Sequence, residues 1–198
     1  MTLDGRLILE GLMTTLSADG AVNISPMGPI VNESLTELLL RPYQTSTTYQ
    51  NLKRMRQGVF HVTDDVELIA HAALGQPAPL PPLMPAQAID GQIITSACRW
   101  YALKVRTLDD SQERTEIVCD VVDRGTLREF FGFNRAKHAV LEAAILATRV
   151  VFLPAPEIRA EMARLKSPVI KTGGPAELRA FEYLVSEIEQ RLANQAGQ

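Results

Sequence analysis

Cysteine and histidine are scarce in this sequence of 198 residues, and their spacing suits neither a metal site nor a disulfide framework. The two cysteines, Cys98 and Cys119, lie in β-type segments, and we interpret them as small core residues that stay reduced. The three histidines, His61, His71 and His138, are far apart and form no His-Glu-x-x-His pair. We therefore expect no bound metal ion.

Long apolar runs and an excess of charge of one sign are also lacking. No segment approaches the roughly 20 apolar residues that a membrane span requires, and the first residues lack the pattern of a secretion signal. The formal net charge of −3 gives no electrostatic reason to expect nucleic acid or an anionic membrane as a partner. These absences predict a cytoplasmic protein with neither kind of partner.

The chain changes from β-type segments to helical segments along its length. Near the start, Asp19-Gly20 suits a type I′ turn between two antiparallel strands, the first beginning at Arg6 and the second covering 21–25. From Asn134, a predicted N-cap, alanine-rich helical spacing replaces the β-type pattern. A β-rich part followed by a helical part predicts an α+β domain built on an antiparallel barrel or sheet.

Five prolines within 76–92 predict an extended connector without regular structure. Shortly before it, Asp64 and Glu67 have the spacing of a capping box, which predicts Asp64 as the N-cap of a short helix. Beyond the connector, the β-type segments 93–107 and 115–122 are predicted to pair as antiparallel strands.

The strongest local candidate for a binding site is the start of the helix predicted over 45–58. Unpaired amides at a helix start, hydroxyl donors and a guanidinium can together hold a phosphate group. The alternative is an ordinary helix cap with spare threonines, and spacing alone does not decide between the two. The residues concerned are Arg41, Thr45, Ser46, Thr47 and Thr48.

The segment Ser25-Pro-Met-Gly-Pro29 contains two prolines that cannot donate to a sheet ladder. We expect the strand to stop at Pro26 and to leave backbone N–H and C=O groups unpaired. A planar heterocycle could use these groups as partners for its polar edge. Alternatively, the prolines simply end an edge strand.

A family resemblance rests on a series of motifs in fixed order: Asn23-Ile-Ser-Pro-Met-Gly28, Arg41-Pro-Tyr-Gln-Thr-Ser-Thr-Thr-Tyr-Gln-Asn-Leu52, Gly58-Val-Phe-His-Val-Thr-Asp64, Phe133-Asn-Arg-Ala136, Val140-Leu-Glu-Ala143, Ala147-Thr-Arg149 and Lys171-Thr-Gly-Gly174. They resemble the FMN-binding split-barrel proteins, a group that includes flavin reductases and proteins similar to pyridoxamine-phosphate oxidase. Within this group, the sequence is most similar to the family called domain of unknown function 447. The motifs span nearly the whole chain.

The resemblance implies a six-stranded split barrel that forms a homodimer, with FMN near the subunit interface. It implies a split-barrel core over 1–130, including the connector at 76–92, and a helical extension over 131–198 that packs on the barrel. Along the flavin ring it places Asn23, Ser25, Pro26 and Met27. At the phosphate and ribityl chain it places Arg41, Thr45, Ser46, Thr47 and Asn51.

The function implied by the resemblance is that of an FMN-binding flavoprotein, a flavin-dependent oxidoreductase whose substrate the sequence does not identify. A nicotinamide cofactor is one candidate reductant. No side chain is identified as a catalytic acid or base, and direct hydride transfer to or from a flavin needs none. The alternative is a non-catalytic module that binds flavin or another phosphorylated ligand.

Four polar residues fall on one face of the helix predicted over 135–150: Arg135, His138, Glu142 and Arg149. One hypothesis is a solvated stripe with internal ion pairs. The other is an anion-binding wall beside the flavin.

Overall fold

The computed structural model describes residues 7–196, so Arg6 and the ends of both predicted units, 1–6 and 197–198, lie outside the described residues. The chain divides into two compact units. The sheet unit runs to Thr63 and resumes over Ala78–Phe130, whereas the helical unit joins Asp64–Pro77 to the chain from Phe131 onward. The segment 64–77, which the sequence analysis assigned to the barrel core, therefore clusters with the C-terminal helices.

The sheet unit is built on an antiparallel sheet of eight strands among the described residues. They are β1 (Leu7–Ile8), β2 (Gly11–Leu16), β3 (Val22–Met27), β4 (Ile30–Val31), β5 (Glu37–Leu40), β6 (Gln57–Val62), β9 (Arg99–Asp109) and β10 (Glu116–Thr126). Their order across the sheet is β1-β4-β5-β10-β9-β6-β2-β3. Only β1 and β4 have fewer than four residues, so six longer strands form most of the sheet.

The two faces of this sheet carry different cores because neighbouring residues of a strand point to opposite sides. Phe60 and Tyr101 belong to the larger core, which also receives Tyr49 and Leu52 from helix α1 (Thr47–Met55). The adjacent residues on the two strands, Val59 before Phe60 and Ala102 after Tyr101, face the other side and pack against Ile89 and Ile93.

The proline-rich connector is not devoid of regular structure, so that prediction was wrong. Its strand β7 (Leu83–Pro85) pairs antiparallel with β8 (Gln92–Ile94) in a small second sheet. The proline lies at the end of β7, where a missing N–H is tolerated. Burial of Ile89 and Ile93 against the main sheet stabilises this segment, and composition alone does not reveal such a long-range contact.

The first hairpin differs from the prediction in the length of its loop and in the residue at which its second strand ends. Its loop has three residues, 18–20, because Ser17 N–H donates to Ala21 O and Gly20 adopts a positive φ of 84°. Beyond the loop, β3 continues through Pro26, which lies opposite Leu12. The expected stop at Pro26 was therefore wrong, since β3 is the last strand of the described sheet and needs only one partner.

Four helices form the helical unit: α2 (Val66–Leu74), α3 (Arg135–Ala147), α4 (Ala155–Thr172) and α5 (Pro175–Ala196). The N-cap of α2 is Asp65, whose carboxylate accepts a hydrogen bond from Leu68 N–H at 3.0 Å. Asp64, the predicted cap, instead accepts a hydrogen bond from Phe131 N–H at 2.7 Å. Among the helices of residues 7–196, none is both long and apolar enough to cross a membrane.

Asn134 caps α3 as predicted: its Oδ1 accepts hydrogen bonds from the amides of Ala136 and Lys137 at 2.8 and 3.1 Å. We expect Asn134→Ala to lower the free energy of unfolding by about 1 kcal/mol, because it removes an acceptor for first-turn amides. Chemical denaturation checks this, with Asn134→Asp as a control that keeps the acceptor for these amides but loses the hydrogen bond from Asn134 Nδ2 to Thr172 O (3.0 Å). Equal stability of the wild type and the alanine variant would contradict the assigned cap.

Candidate functional site

The two stretches predicted to bind a ligand are adjacent in the sheet unit. Strand β3 carries Asn23 and Ser25, which lie opposite Thr15 and Met13 of β2. Because Asn23 and Ser25 are two positions apart, their side chains point to the same face of the strand. Helix α1 lies against that face, as its hydrogen bonds show.

A network of buried and half-buried side chains joins β2 and β3 to α1. Asn23 Nδ2 donates to Thr48 Oγ1 at 3.1 Å and to Thr15 Oγ1 at 3.3 Å. Ser25 Oγ lies 2.6 Å from Thr48 Oγ1, and Asn51 Nδ2 donates to Thr15 Oγ1 at 3.0 Å. We call these five residues the β3–α1 network. It brings together Asn23, Ser25 and Asn51, three of the predicted site residues.

Thr15 and Thr48 link the predicted residues to one another. Thr48 was among the candidate phosphate-binding hydroxyls but not among the residues that the family resemblance placed at FMN, and Thr15 was in neither set. Thr48 belongs to the hydroxyl cluster at the helix start, which was the available signal for it. Thr15 has no local signal, since its role depends on lying opposite Asn23 in the hairpin. Both are buried, so their hydroxyls act inside the protein and not at its surface.

Of the next two residues of β3, Met27 lies on the same face as Ser25, whereas Pro26 lies on the other. Met27 is partly buried against the larger core of the sheet unit. Pro26 is half-buried opposite Leu12, and the alternation of the strand turns it to the other face from Ser25. The structure therefore brings Asn23 and Ser25 to α1, whereas Pro26 lies away from that face.

Arg41, which follows β5, has the clearest unmet hydrogen-bonding capacity. Its Nε is buried and has no hydrogen-bond partner among residues 7–196. A buried donor without a partner is costly, because its hydration is lost and nothing replaces it. Arg41 is thus the strongest indication of a bound acceptor group.

Apart from the buried Thr48, the hydroxyl residues at the start of α1 are one that is already hydrogen-bonded and two that are exposed. Ser46 is the N-cap: its hydroxyl donates to Tyr43 O at 2.8 Å and accepts from Tyr49 N–H at 3.2 Å. Thr45 and Thr47, on either side of it, are exposed. Because the first amides of a helix have no intrahelical acceptor, this end of α1 attracts anions.

The loop between β9 and β10 holds the segment between Arg41 and α1 in place. Thr115 N–H and its hydroxyl both donate to Pro42 O, at 3.0 and 2.8 Å. Gln44 Nε2 donates to the backbone oxygens of Asp110 and Gln112, each at 2.8 Å. These bonds fix the backbone before any ligand arrives.

A three-residue cluster attaches the next turn of α1 to the same loop. Asp110 Oδ2 accepts hydrogen bonds from Lys53 Nζ at 2.8 Å and Tyr49 OH at 2.7 Å. The bond from Lys53, and then that from Tyr49, lower the pKa of Asp110 below its ordinary value. The carboxylate thus stays charged at neutral pH and holds the helix to the loop.

The polar residues predicted on one face of α3 are exposed, as the interpretation as a solvated stripe expects. His138 Nε2 lies 3.9 Å from Glu142 Oε1, and their side chains are 72% and 48% exposed. Arg135 is exposed at the helix start. Arg149 is also exposed and lies beyond the last residue of α3.

Family models cover most of the chain. The model described as Protein of unknown function (DUF447) N-terminal domain matches residues 9–128, and a second, Protein of unknown function (DUF447), matches 134–186. The chain belongs to the DUF447 family. This confirms the resemblance found in the sequence. No curated protein matches it significantly.

Solved structures similar to this DUF447 protein include three flavin-related proteins. An FMN-bound protein of Methanosarcina mazei is 20% identical, with 91% of this chain and 95% of that chain covered and a TM-score of 0.76. Flavoredoxin from Methanosarcina acetivorans is 10% identical (60% and 68% covered, TM-score 0.53). The styrene monooxygenase flavin reductase of Pseudomonas putida is 10% identical (60% and 79% covered, TM-score 0.51). These likenesses confirm the predicted α+β split-barrel fold.

Proposed function

We propose that this DUF447 protein is an FMN-binding flavoprotein that acts as a homodimeric oxidoreductase with a nicotinamide reductant. The observation that carries the proposal is the buried Nε of Arg41, which has no hydrogen-bond partner in the part of the chain that the structure describes. Arg41 precedes the start of α1, which attracts anions. The FMN-bound protein of Methanosarcina mazei, with the same fold over most of its length, supports FMN as the ligand.

The phosphate of FMN fits the chemistry of the residues at the start of α1. Arg41 supplies a guanidinium, which pairs with phosphate oxygens through parallel hydrogen bonds. Thr45 and Thr47 supply exposed hydroxyls, and the helix end supplies a partial positive charge. Ser46 contributes as the N-cap that fixes this end of the helix, because its hydroxyl is already engaged.

The flavin ring and ribityl chain are assigned to the β3 side of the site. We assign Asn23, Ser25 and Met27, which share one face of β3, to the ring, and Pro26 only as the strand residue that links Ser25 to Met27. We assign Asn51 to the ribityl chain. FMN, when bound, would supply the capacity to transfer a hydride or electrons. The chain's own residues bind and orient it: the network between β3 and α1 holds the two ends of the site together.

The absorption spectrum of the purified protein tests this proposal most directly. A flavin spectrum, with FMN released on heating in equimolar amount, is the expected result. Anaerobic addition of NADH or NADPH should then bleach the flavin, and the mass in solution should be that of two chains. A colourless protein that takes up no added FMN would overturn the proposal. Bound flavin that neither nucleotide reduces would favour a non-catalytic binding module.

Arg149→Ala is expected to leave the affinity for FMN unchanged, because Arg149 is exposed beyond the end of α3. Titration of flavin fluorescence measures the dissociation constant for both proteins. A loss of affinity of about tenfold or more, equal to about 1.4 kcal/mol, would instead support an anion-binding wall on this helix.

A further inference from the structure

The hydroxyl of Ser25 has a single hydrogen-bond partner within the described chain, the hydroxyl of Thr48. The two oxygens are 2.6 Å apart, and Thr48 is only 3% exposed. Each hydroxyl carries one proton, so in this pair only one can be the donor. The direction of this bond decides whether Ser25 can donate to anything else.

The third member of the network determines that direction. Asn23 Nδ2 donates to Thr48 Oγ1 at 3.1 Å, and an amide nitrogen cannot accept a hydrogen bond. Among the described residues, the proton of Thr48 therefore has one acceptor within reach, the oxygen of Ser25. Because Thr48 donates to Ser25, the proton of Ser25 is left for a further acceptor.

We propose that Thr48 is a positioning residue that turns the Ser25 hydroxyl into a hydrogen-bond donor for bound flavin. This inference rests on the proposed function, which assigns Ser25 to the flavin ring. The isoalloxazine ring has two carbonyl oxygens and unprotonated ring nitrogens that accept hydrogen bonds, so Ser25 would pair with one of these and not with the ring N–H. Thr48 itself acts through Ser25 and need not touch the ligand.

A donor at this position has a consequence for the redox properties of the site. Reduction makes the ring richer in electrons, and a hydrogen bond to an electron-rich acceptor is the stronger one. The bond from Ser25 therefore stabilises the reduced flavin more than the oxidised flavin, which raises its reduction potential. A purely structural role for Thr48 would not move the potential in this way.

The test compares Ser25→Ala, Thr48→Val and Thr48→Ser with the wild type, using FMN and riboflavin as ligands. Ser25→Ala and Thr48→Val should each lower the affinity for both ligands by roughly three- to tenfold, the usual effect of one hydrogen bond. The double variant Ser25→Ala/Thr48→Val should lose no more affinity than Ser25→Ala alone, because Thr48 acts only through the Ser25 hydroxyl. Thr48→Ser keeps the hydroxyl and should bind like the wild type. The two weakened variants should also share a lowered flavin reduction potential.

The control is Thr14→Val, a buried threonine on β2 whose hydroxyl donates to Gln92 O at 2.5 Å on the other side of the sheet. It should leave affinity and potential unchanged. If Thr48→Val does not fold, Ser25→Ala alone decides, because an unchanged potential in that variant contradicts the inference. Additive losses of affinity in the double variant would overturn this inference but would not contradict the proposal that the protein binds FMN. A wild type that binds neither flavin would overturn the proposed function and, with it, this inference.

Discussion

Replacing Arg41 with alanine is expected to weaken FMN binding about 100-fold while leaving riboflavin binding unchanged. A hydrogen bond to a charged group contributes about 1.5–3 kcal/mol, and about 1.4 kcal/mol corresponds to tenfold in affinity. The buried Nε of Arg41 has no hydrogen-bond partner among residues 7–196, so it can bind a phosphate oxygen without first breaking a protein hydrogen bond. Riboflavin lacks the phosphate and therefore gains nothing from this side chain. Fluorescence titration with both ligands measures the difference.

Two further arginine variants separate the phosphate from general effects of charge. Arg41→Lys keeps the positive charge but loses the planar guanidinium with its paired N–H donors. Its loss of affinity for FMN should therefore be smaller than that of Arg41→Ala but still measurable. Arg124→Ala removes an exposed arginine of the same unit, whose guanidinium donates to Ser34 O, and should change neither affinity. If Arg41→Ala weakened FMN and riboflavin equally, Arg41 would support the site as a whole and the phosphate assignment would be wrong.

The antiparallel sheet and the later helices were predictable because they depend on local patterns. The register of the first hairpin was not. With Asp19-Gly20 as a two-residue turn, Asn23 would lie opposite Leu16, whereas the three-residue loop places it opposite Thr15. A shift of one residue thus exchanges an apolar neighbour for a hydroxyl. The sequence therefore did not reveal Thr15 as a member of the network.

The errors at the connector and at the cap of α2 have a similar origin. Five prolines disfavour regular structure locally, but burial of Ile93 on the main sheet outweighs that tendency and pairs β8 with β7. Asp64 and Asp65 are equivalent by residue type, and the long-range bond from Phe131 to Asp64 leaves Asp65 as the cap. Local chemistry suggested each feature, but contacts between distant residues decided it.

The candidate site was partly predictable because some of its residues are close together in the sequence. Arg41 and the hydroxyl residues before α1 are neighbours in sequence, so their chemistry could be seen without a structure. The buried Nε of Arg41 and the direction of the Ser25 hydroxyl depend on three-dimensional packing. These two features now make the site testable, since each assigns a different part of the flavin to a different side chain.

Lowering the pH is expected to destabilise the protein through His61 well before most carboxylates are protonated. His61 is fully buried between β2 and β8: its Nδ1 donates to Leu12 O at 3.2 Å, and its Nε2 accepts from Ile94 N–H at 3.0 Å. Burial lowers its pKa from 6.5 to about 4, although the bond to Leu12 opposes this. The unfolded chain therefore binds a proton between pH 6.5 and 4 that the native state does not. The stabilisation is complete above pH 6.5 and is lost as the pH falls towards 4, by about 3 kcal/mol.

Chemical denaturation at a series of pH values, followed by fluorescence of the single tryptophan, measures this loss. Trp100 lies opposite His61 on β9, so it reports on the unit that contains the buried imidazole. His61→Gln cannot titrate, so its unfolding free energy should fall less steeply between pH 6.5 and 4 than that of the wild type, whatever its absolute stability. His138→Gln removes an exposed histidine and should keep the wild-type slope. Parallel pH profiles for the wild type and His61→Gln would show that His61 is not held neutral in the native protein, because a neutral buried imidazole must take up a proton on unfolding in this range.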